Sequence, residues 1–161
     1  MIPRRLALLA AVAILAVVGV ACSSDEAARD EDGRITSTGQ LDVFDLEIGD
    51  CIVFDDMPDS TVEDLTVTPC DEPHQSEVYA LVEVDDLDAY PGERELSNRA
   101  ELECVSRFED YVGIEFAEST LFSTYLIPTV RSWQEAEDRE IVCLVVAAGR
   151  VLEDSVEGSA L

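Results

Sequence analysis

The residue best suited to chemistry in this chain is its single histidine, His74. A hydrolase would pair it with a hydroxyl nucleophile and a carboxylate, and Ser76 and Glu77 stand nearby in the sequence. Neither of them lies in a recognisable nucleophile-elbow motif. A lone histidine that follows a proline and precedes a strand more often fixes a turn, so we expect a structural role for His74. For Glu77 we expect a strand-end partnership with His74 or an arginine.

The cysteines offer a second kind of chemistry. Setting Cys22 aside leaves an even number, Cys51, Cys70, Cys104 and Cys143, and exported domains use cysteines mainly for disulfides. Four cysteines allow three pairings. We favour Cys51 with Cys70, which closes a short loop, and Cys104 with Cys143, which ties a predicted helix to a predicted strand. A zinc site is not expected, because the sequence has no C-x2-C pair and only one histidine.

The N-terminus carries the signals that place the chain outside the cytoplasm. Residues 1–21 combine a pair of arginines with an apolar run, which predicts a secretory signal peptide. The run is too short for the roughly 30 Å hydrocarbon core of a membrane, so we expect it to be removed. Cys22 follows small residues and precedes polar ones, which favours lipoprotein processing and attachment of diacylglycerol and a fatty acid such as palmitate. Gly19 stands where a lipobox usually has leucine, so ordinary cleavage after Ala21 and an uncleaved anchor stay open.

The net charge of the chain limits the classes of molecule that it can bind. The formal net charge is −26, with 36 acidic residues and no lysine. Such a surface repels phosphate backbones, so no nucleic-acid partner is expected. Residues 22–42 are polar and predict a disordered acidic tether behind the lipidated cysteine, spanning about 25 Å as a flexible coil. Residues 43–158 then predict one folded domain.

Acidic clusters raise the possibility of bound calcium. An EF-hand loop starting at Asp86 would need an oxygen ligand at Tyr90, glycine at Pro91 and glutamate at Ser97, and all three fail. We therefore expect no metal site and no cofactor, and interpret the acids as solvated loop residues.

The hydrophobic pattern predicts the elements that position these residues. Apolar residues recur every four positions from Leu96 to Phe108 and predict an amphipathic helix from Glu93 to near Gly113. Apolar or alternating runs predict strands over 44–48, 51–54, 65–70, 77–84, 125–130 and 141–147. The order indicates an α+β fold: a small antiparallel β-sheet with one main amphipathic helix packed on one face, stabilised by disulfides.

An ordered set of motifs resembles a known family. Leu46-x-x-Gly49-Asp50-Cys51 comes first, and the following motifs are Cys70-x-x-Pro73-His74-x-x-Glu77-Val78-Tyr79, Tyr90-Pro91-Gly92, Cys104, Pro128-Thr129-x-x-x-Trp133 and Asp138-Arg139-x-x-x-Cys143. Together they resemble the septum-formation domain of bacterial exported and membrane proteins. The resemblance implies an association with division septa and no established enzymatic activity. Family members usually show glycine where this chain has Glu137, so we expect that turn to differ.

Trp133 is the remaining candidate residue. We expect it to anchor the core or its rim near Pro128, with an exposed aromatic patch for a partner as the alternative.

Taken together, the sequence predicts a lipoprotein on the extracytoplasmic face of the cell membrane, anchored through Cys22. Its domain would be a non-enzymatic interaction or structural module, related to septum formation or cell division by resemblance. The partner would be an envelope protein or a wall polymer. Two alternatives stay open: a cell-wall-modifying hydrolase that uses His74, and an acidic lipoprotein that binds cations or a solute.

Overall fold

The computed structural model describes residues 26–54, 63–147 and 149–161. The signal peptide predicted for residues 1–21 and the lipid site at Cys22 lie outside them. Within the described ranges, no helix has the length and the apolarity needed to cross a membrane.

The described residues form eight strands and two α-helices. In chain order these are β1 (Ala28–Arg29), β2 (Ile35–Ser37), β3 (Gly39–Asp42), β4 (Cys51–Val53), β5 (Asp64–Thr68), β6 (Ser76–Glu83), α1 (Glu93–Val112), β7 (Phe122–Leu126), α2 (Val130–Glu135) and β8 (Glu140–Val146). Strands β1 and β2 pair with each other, and the other six form one sheet in the order β3-β5-β4-β6-β8-β7. All the strand pairs are antiparallel, as the sequence predicts.

The predicted main helix is confirmed as α1. Its buried residues follow the predicted period of four and face the sheet: Leu96, Ala100, Cys104, Phe108 and Val112. The helix ends at Gly113, whose φ of 88° is a conformation that glycine adopts without steric cost, and its N–H donates to the carbonyl of Glu109 at 2.8 Å. The main core lies between this helix and the sheet. A second apolar cluster, which includes Ile52 and Leu144, lies on the opposite face of the sheet.

The two predicted disulfides are confirmed. Cys104 on the buried stripe of α1 is bonded to Cys143 in β8, and Cys51 in β4 is bonded to Cys70 just after β5. The first bond ties the helix to the sheet, and the second closes the loop that joins two adjacent strands. The fold is therefore the predicted disulfide-stabilised α+β architecture.

The tether predicted for residues 22–42 is wrong from residue 26 onward. Glu26 forms an isolated parallel bridge with Gln40, and β3 joins the main sheet by pairing with β5. Arg29 donates to both carboxylate oxygens of Asp50, at 2.6 and 2.7 Å, and Asp50 is only 3% exposed. A bidentate ion pair to a buried carboxylate and the burial of Ile35 in an apolar cluster together stabilise this largely polar segment.

Two local predictions also differ from the structure. Residues 44–48 do not form a strand, because a 3-10 turn occupies Val43–Asp45 and is capped by the Asp42 side chain. The sequence predicts an extended run as far as Val130, but β7 ends at Leu126 and α2 begins at Val130. Thr129 and Ser132 exchange hydrogen bonds between side chain and backbone, forming a capping box that starts this short helix.

Candidate functional site

His74 lies at a buried junction between the turn before β6 and the C-terminal segment. It is fully buried, and its backbone exchanges two hydrogen bonds with Leu152, of 3.0 and 2.8 Å. Its Nδ1 lies 2.8 Å from the carbonyl oxygen of Glu72. Because a carbonyl can only accept, Nδ1 carries a proton, and Nε2 has no hydrogen-bond partner among the described residues. The histidine therefore joins the turn before β6 to the C-terminal segment.

Ser76 does not form a nucleophile–base pair with His74. Its hydroxyl is buried and has no hydrogen-bond partner among the described residues. Catalysis would require both side chains to reach a substrate, and neither is exposed to solvent. The geometry thus favours the structural interpretation of His74.

Glu77 holds the C-terminal segment in place, but through partners that differ from the prediction. One carboxylate oxygen accepts from the hydroxyls of Tyr111, at 2.5 Å, and Ser155, at 2.6 Å, and the other accepts from the Val156 N–H at 2.8 Å. Among the described residues, the expected hydrogen bond of Glu77 to His74 or an arginine is not formed. Burial, together with the bond to this carboxylate, raises the pKa of the Tyr111 hydroxyl far above its usual range. Glu77 thus joins β6, α1 and the C-terminus through one buried carboxylate.

Cys51, His74 and Glu77 are the described residues that come closest to a metal-ligand set. One potential ligand atom from each lies within 4.8 Å of the others. The Cys51 sulfur is bonded to Cys70, so it is not a thiolate available to a metal. With the disulfide formed, the cluster offers only one nitrogen and one carboxylate.

Trp133 occupies the predicted core position. It is 3% exposed, and the Tyr90 ring meets it edge to face at a centroid distance of 5.8 Å. The Arg139 guanidinium lies 3.7 Å from the centre of the indole ring, in cation–π contact. The tryptophan therefore anchors α2 and supports its neighbours, and it does not form an exposed aromatic patch.

A groove of about 1190 Å³, which we call the acidic groove, lies beside these residues. Both edge strands of the sheet line it: β3 through Asp42 and β7 through Tyr125 and Leu126. Seven acidic residues and one basic residue, Arg131, contribute to its walls. Arg131 is already paired with Glu63 at 3.3 Å and with a second carboxylate, so it adds no free positive charge.

Apolar side chains form much of the remaining lining. Phe44 and Val130 are each 52% exposed at the groove, and Leu126 and Ile127 are partly buried. An exposed apolar surface rimmed by charges is typical of a binding site. The groove thus combines a negative wall with apolar contact area.

Glu140 is a partly buried acid of the groove that the described residues do not neutralise. Its side chain is partly buried and forms no hydrogen bond with any described residue. Burial and the neighbouring carboxylates of Asp138 and Glu83 raise the pKa of Glu140 above its usual value. A positive group placed here would satisfy a carboxylate that the described residues leave unpaired.

The sequence prediction missed this groove, although a signal was present. Residues 119–130 contain no charged side chain, in a chain of which 29% is charged. This uncharged stretch contains β7 and the start of α2, which form one wall of the groove. This uncharged stretch in an otherwise densely charged sequence is the signal that could have indicated the groove.

The comparisons with known proteins place the chain in one family. A family model described as septum formation matches residues 48–158. The matched range includes both disulfides, His74, Glu77, Trp133 and α1. No curated protein and no solved structure matches the chain. The family model spans well over half of the sequence, and the chain therefore belongs to the septum-formation family.

Proposed function

We propose that this protein is a lipid-anchored, non-enzymatic binding module of the cell envelope that acts in septum formation. Family membership indicates a role in septum formation or cell division. The acidic groove is the observation that supports binding: it is large, it adjoins both edges of the sheet, and it exposes apolar and unneutralised acidic groups. Exposed surface of this kind is what a docking partner would cover.

The proposed location rests on the sequence and on the cysteines. A signal peptide over residues 1–21 and a lipidated Cys22 would place the domain outside the cytoplasm. Two disulfides are consistent with this, because such bonds persist in oxidising compartments and are rare in the cytosol.

The burial of His74 and Ser76 supports a non-enzymatic role over the hydrolase alternative. Replacing His74 by glutamine separates the two. A structural histidine predicts a lower melting temperature with a matching loss of function, because the turn before β6 loosens. Unchanged melting temperature with abolished function would instead indicate catalysis.

Complementation in cells tests the whole proposal. A strain that lacks the protein would receive the wild type, Cys22→Ala or Phe44→Asp, and septum frequency and membrane fractionation would be measured. We expect Cys22→Ala to leave the membrane fraction and Phe44→Asp to stay there, with both failing to restore normal septation. Leu102→Asp is the matched control, since Leu102 is 75% exposed on α1 and lies outside the groove.

Normal septation with both variants would contradict the proposal, and a septation defect with Leu102→Asp would show that the assay does not report on the groove. The intact mass of the membrane-extracted protein supplies a separate check on the lipid at Cys22.

A further inference from the structure

The two edge strands of the main sheet differ in whether other residues cover their outer edge. On the β3 side, the Ala27 N–H donates to the Gln40 carbonyl at 2.9 Å, so the N-terminal segment covers part of that edge. On the β7 side, no backbone group of the described residues bonds to the outer edge of the strand. An uncovered edge leaves a row of N–H and C=O groups that a further strand can pair with.

Strand β7 also lacks the usual protection of an open edge. Natural proteins commonly place charges, prolines or bulges there to prevent pairing with other chains. Strand β7 has no charged residue and no proline within Phe122–Leu126, and its register with β8 is regular. Such an edge is suited to strand addition.

The open edge and the acidic groove meet at the same place. Tyr125 and Leu126 belong to β7 and line the groove, and Asp42, at the end of the opposite edge strand, lines it from the other side. A segment lying along β7 would therefore have apolar side chains on one flank and carboxylates, including the unpaired Glu140, within reach.

We propose that the acidic groove binds an extended, cationic segment of another envelope protein as an added strand beside β7. The inference rests on the proposed binding function and specifies the chemistry of the partner. Leu126 pairs with Val142, and Glu140 lies two residues before Val142 in β8, so Leu126 and Glu140 share one face of the sheet. Every second residue of an added segment would turn toward that face, where arginine or lysine could pack its aliphatic stem on Leu126 and reach the carboxylates with its charged group. Charge complementarity requires the bound segment to be positively charged, because the groove has no unpaired basic residue among those described.

A synthetic peptide tests this directly. The probe has about seven residues, enough to follow β7, with arginine alternating with valine. It is added to the full protein extracted from membranes in zwitterionic detergent. We expect saturable binding that weakens with salt, together with slower hydrogen exchange of the β7 amides.

Two control peptides separate charge from strand pairing. Glutamate in place of arginine keeps the strand propensity and reverses the charge, so it should not bind. Proline in place of the central valine keeps the charge and blocks pairing, so it should bind more weakly and leave the β7 amides unprotected.

A matched pair of variants locates the contact. Glu140→Gln should weaken binding of the arginine peptide about tenfold, as expected for loss of a charge-assisted hydrogen bond. Glu101→Gln makes the same change on the exposed face of α1 and should leave the affinity unaltered.

Three results would overturn the inference: no binding of the arginine peptide, binding without protection of β7, or equal effects of the two glutamine variants. Binding of soluble peptidoglycan fragments at the same residues, with no peptide binding, would also overturn it and assign the groove to a wall polymer. Septation that still depends on Phe44 would then show that the proposed function survives without this inference.

Discussion

The two faces of the sheet differ in whether a carboxylate that they bury receives hydrogen bonds. On the α1 side, the fully buried carboxylate of Glu77 accepts three hydrogen bonds from three different residues. On the groove side, the partly buried carboxylate of Glu140 accepts none from the described residues and lies near other acids. A compensated buried acid stabilises a fold, whereas an uncompensated one is a cost that a ligand can remove. The difference indicates that the α1 side maintains the structure and the groove side is available for binding.

Removing the helix-to-sheet disulfide should have the largest effect on the α1 side. Cys104→Ala combined with Cys143→Ala opens a link between residues 39 apart and should lower the free energy of unfolding by about 4 kcal/mol in the chain-entropy model. Urea denaturation measures it. The control is the Cys51→Ala and Cys70→Ala pair, whose separation is 19 residues and whose expected loss is about 3 kcal/mol. A loss below 1 kcal/mol for the first pair would show that the α1 side does not depend on this link.

Glu77→Gln should destabilise the α1 side next. The amide nitrogen would face the Val156 N–H or a hydroxyl in place of an acceptor, so we expect a loss of about 2–3 kcal/mol. Hydrogen exchange should become faster over residues 152–160. Glu83→Gln, at an exposed position of the same strand, should stay within about 0.5 kcal/mol of wild type. If residues 152–160 keep their protection in Glu77→Gln, the carboxylate is not what holds the C-terminus.

On the groove side, a backbone change should stabilise the protein. Glu137 has a φ of 54°, the left-handed conformation that glycine adopts most easily, so the turn retains a glycine-like geometry despite the substitution relative to the family pattern. Glu137→Gly should raise the free energy of unfolding by about 0.5–1 kcal/mol. Ala136→Gly is the neighbouring control: with φ of −112° it gains nothing, and it should lower stability. A stabilising Ala136→Gly would refute the conformational explanation.

The smallest effect should come from Glu140→Gln without any ligand. Because burial raises the pKa of Glu140, the protonated form is favoured on folding. Its stabilising contribution is present below the usual pKa of 4.5 and is lost as the pH rises through the folded value. The variant should therefore be the more stable protein at pH 7, by at most about 0.5 kcal/mol because the group is partly exposed. Chemical denaturation at pH 4 and pH 7 tests this, and a variant less stable than wild type at pH 7 would mean that Glu140 has a hidden partner.

Local sequence patterns were sufficient to predict the helix, the central strand and the disulfide on the α1 side of the sheet. The period of four in α1 and the apolar run in β8 both reflect contacts with a large core, and the disulfide between them follows from their adjacency. Long-range polar contacts were not predictable. The donors to Glu77 come from 34 to 79 residues away along the chain, and Arg29 reaches Asp50 across 21 residues. Nothing in local composition indicates which distant group satisfies a buried charge.

The pairing of residues 26 and 27 with Gln40 has a consequence for the membrane. If Cys22 carries the lipid, only residues 23–25 separate it from the first paired residue, and an extended linker of this length reaches about 14 Å. The Debye length at physiological salt is about 8 Å, so a linker this short would let the acidic residues nearest Cys22 come close enough to an anionic headgroup layer to be repelled by it. A linker this short limits the height of the domain above the membrane more than it limits the orientation of the domain. Repulsion from the membrane surface would then influence the direction in which the groove faces.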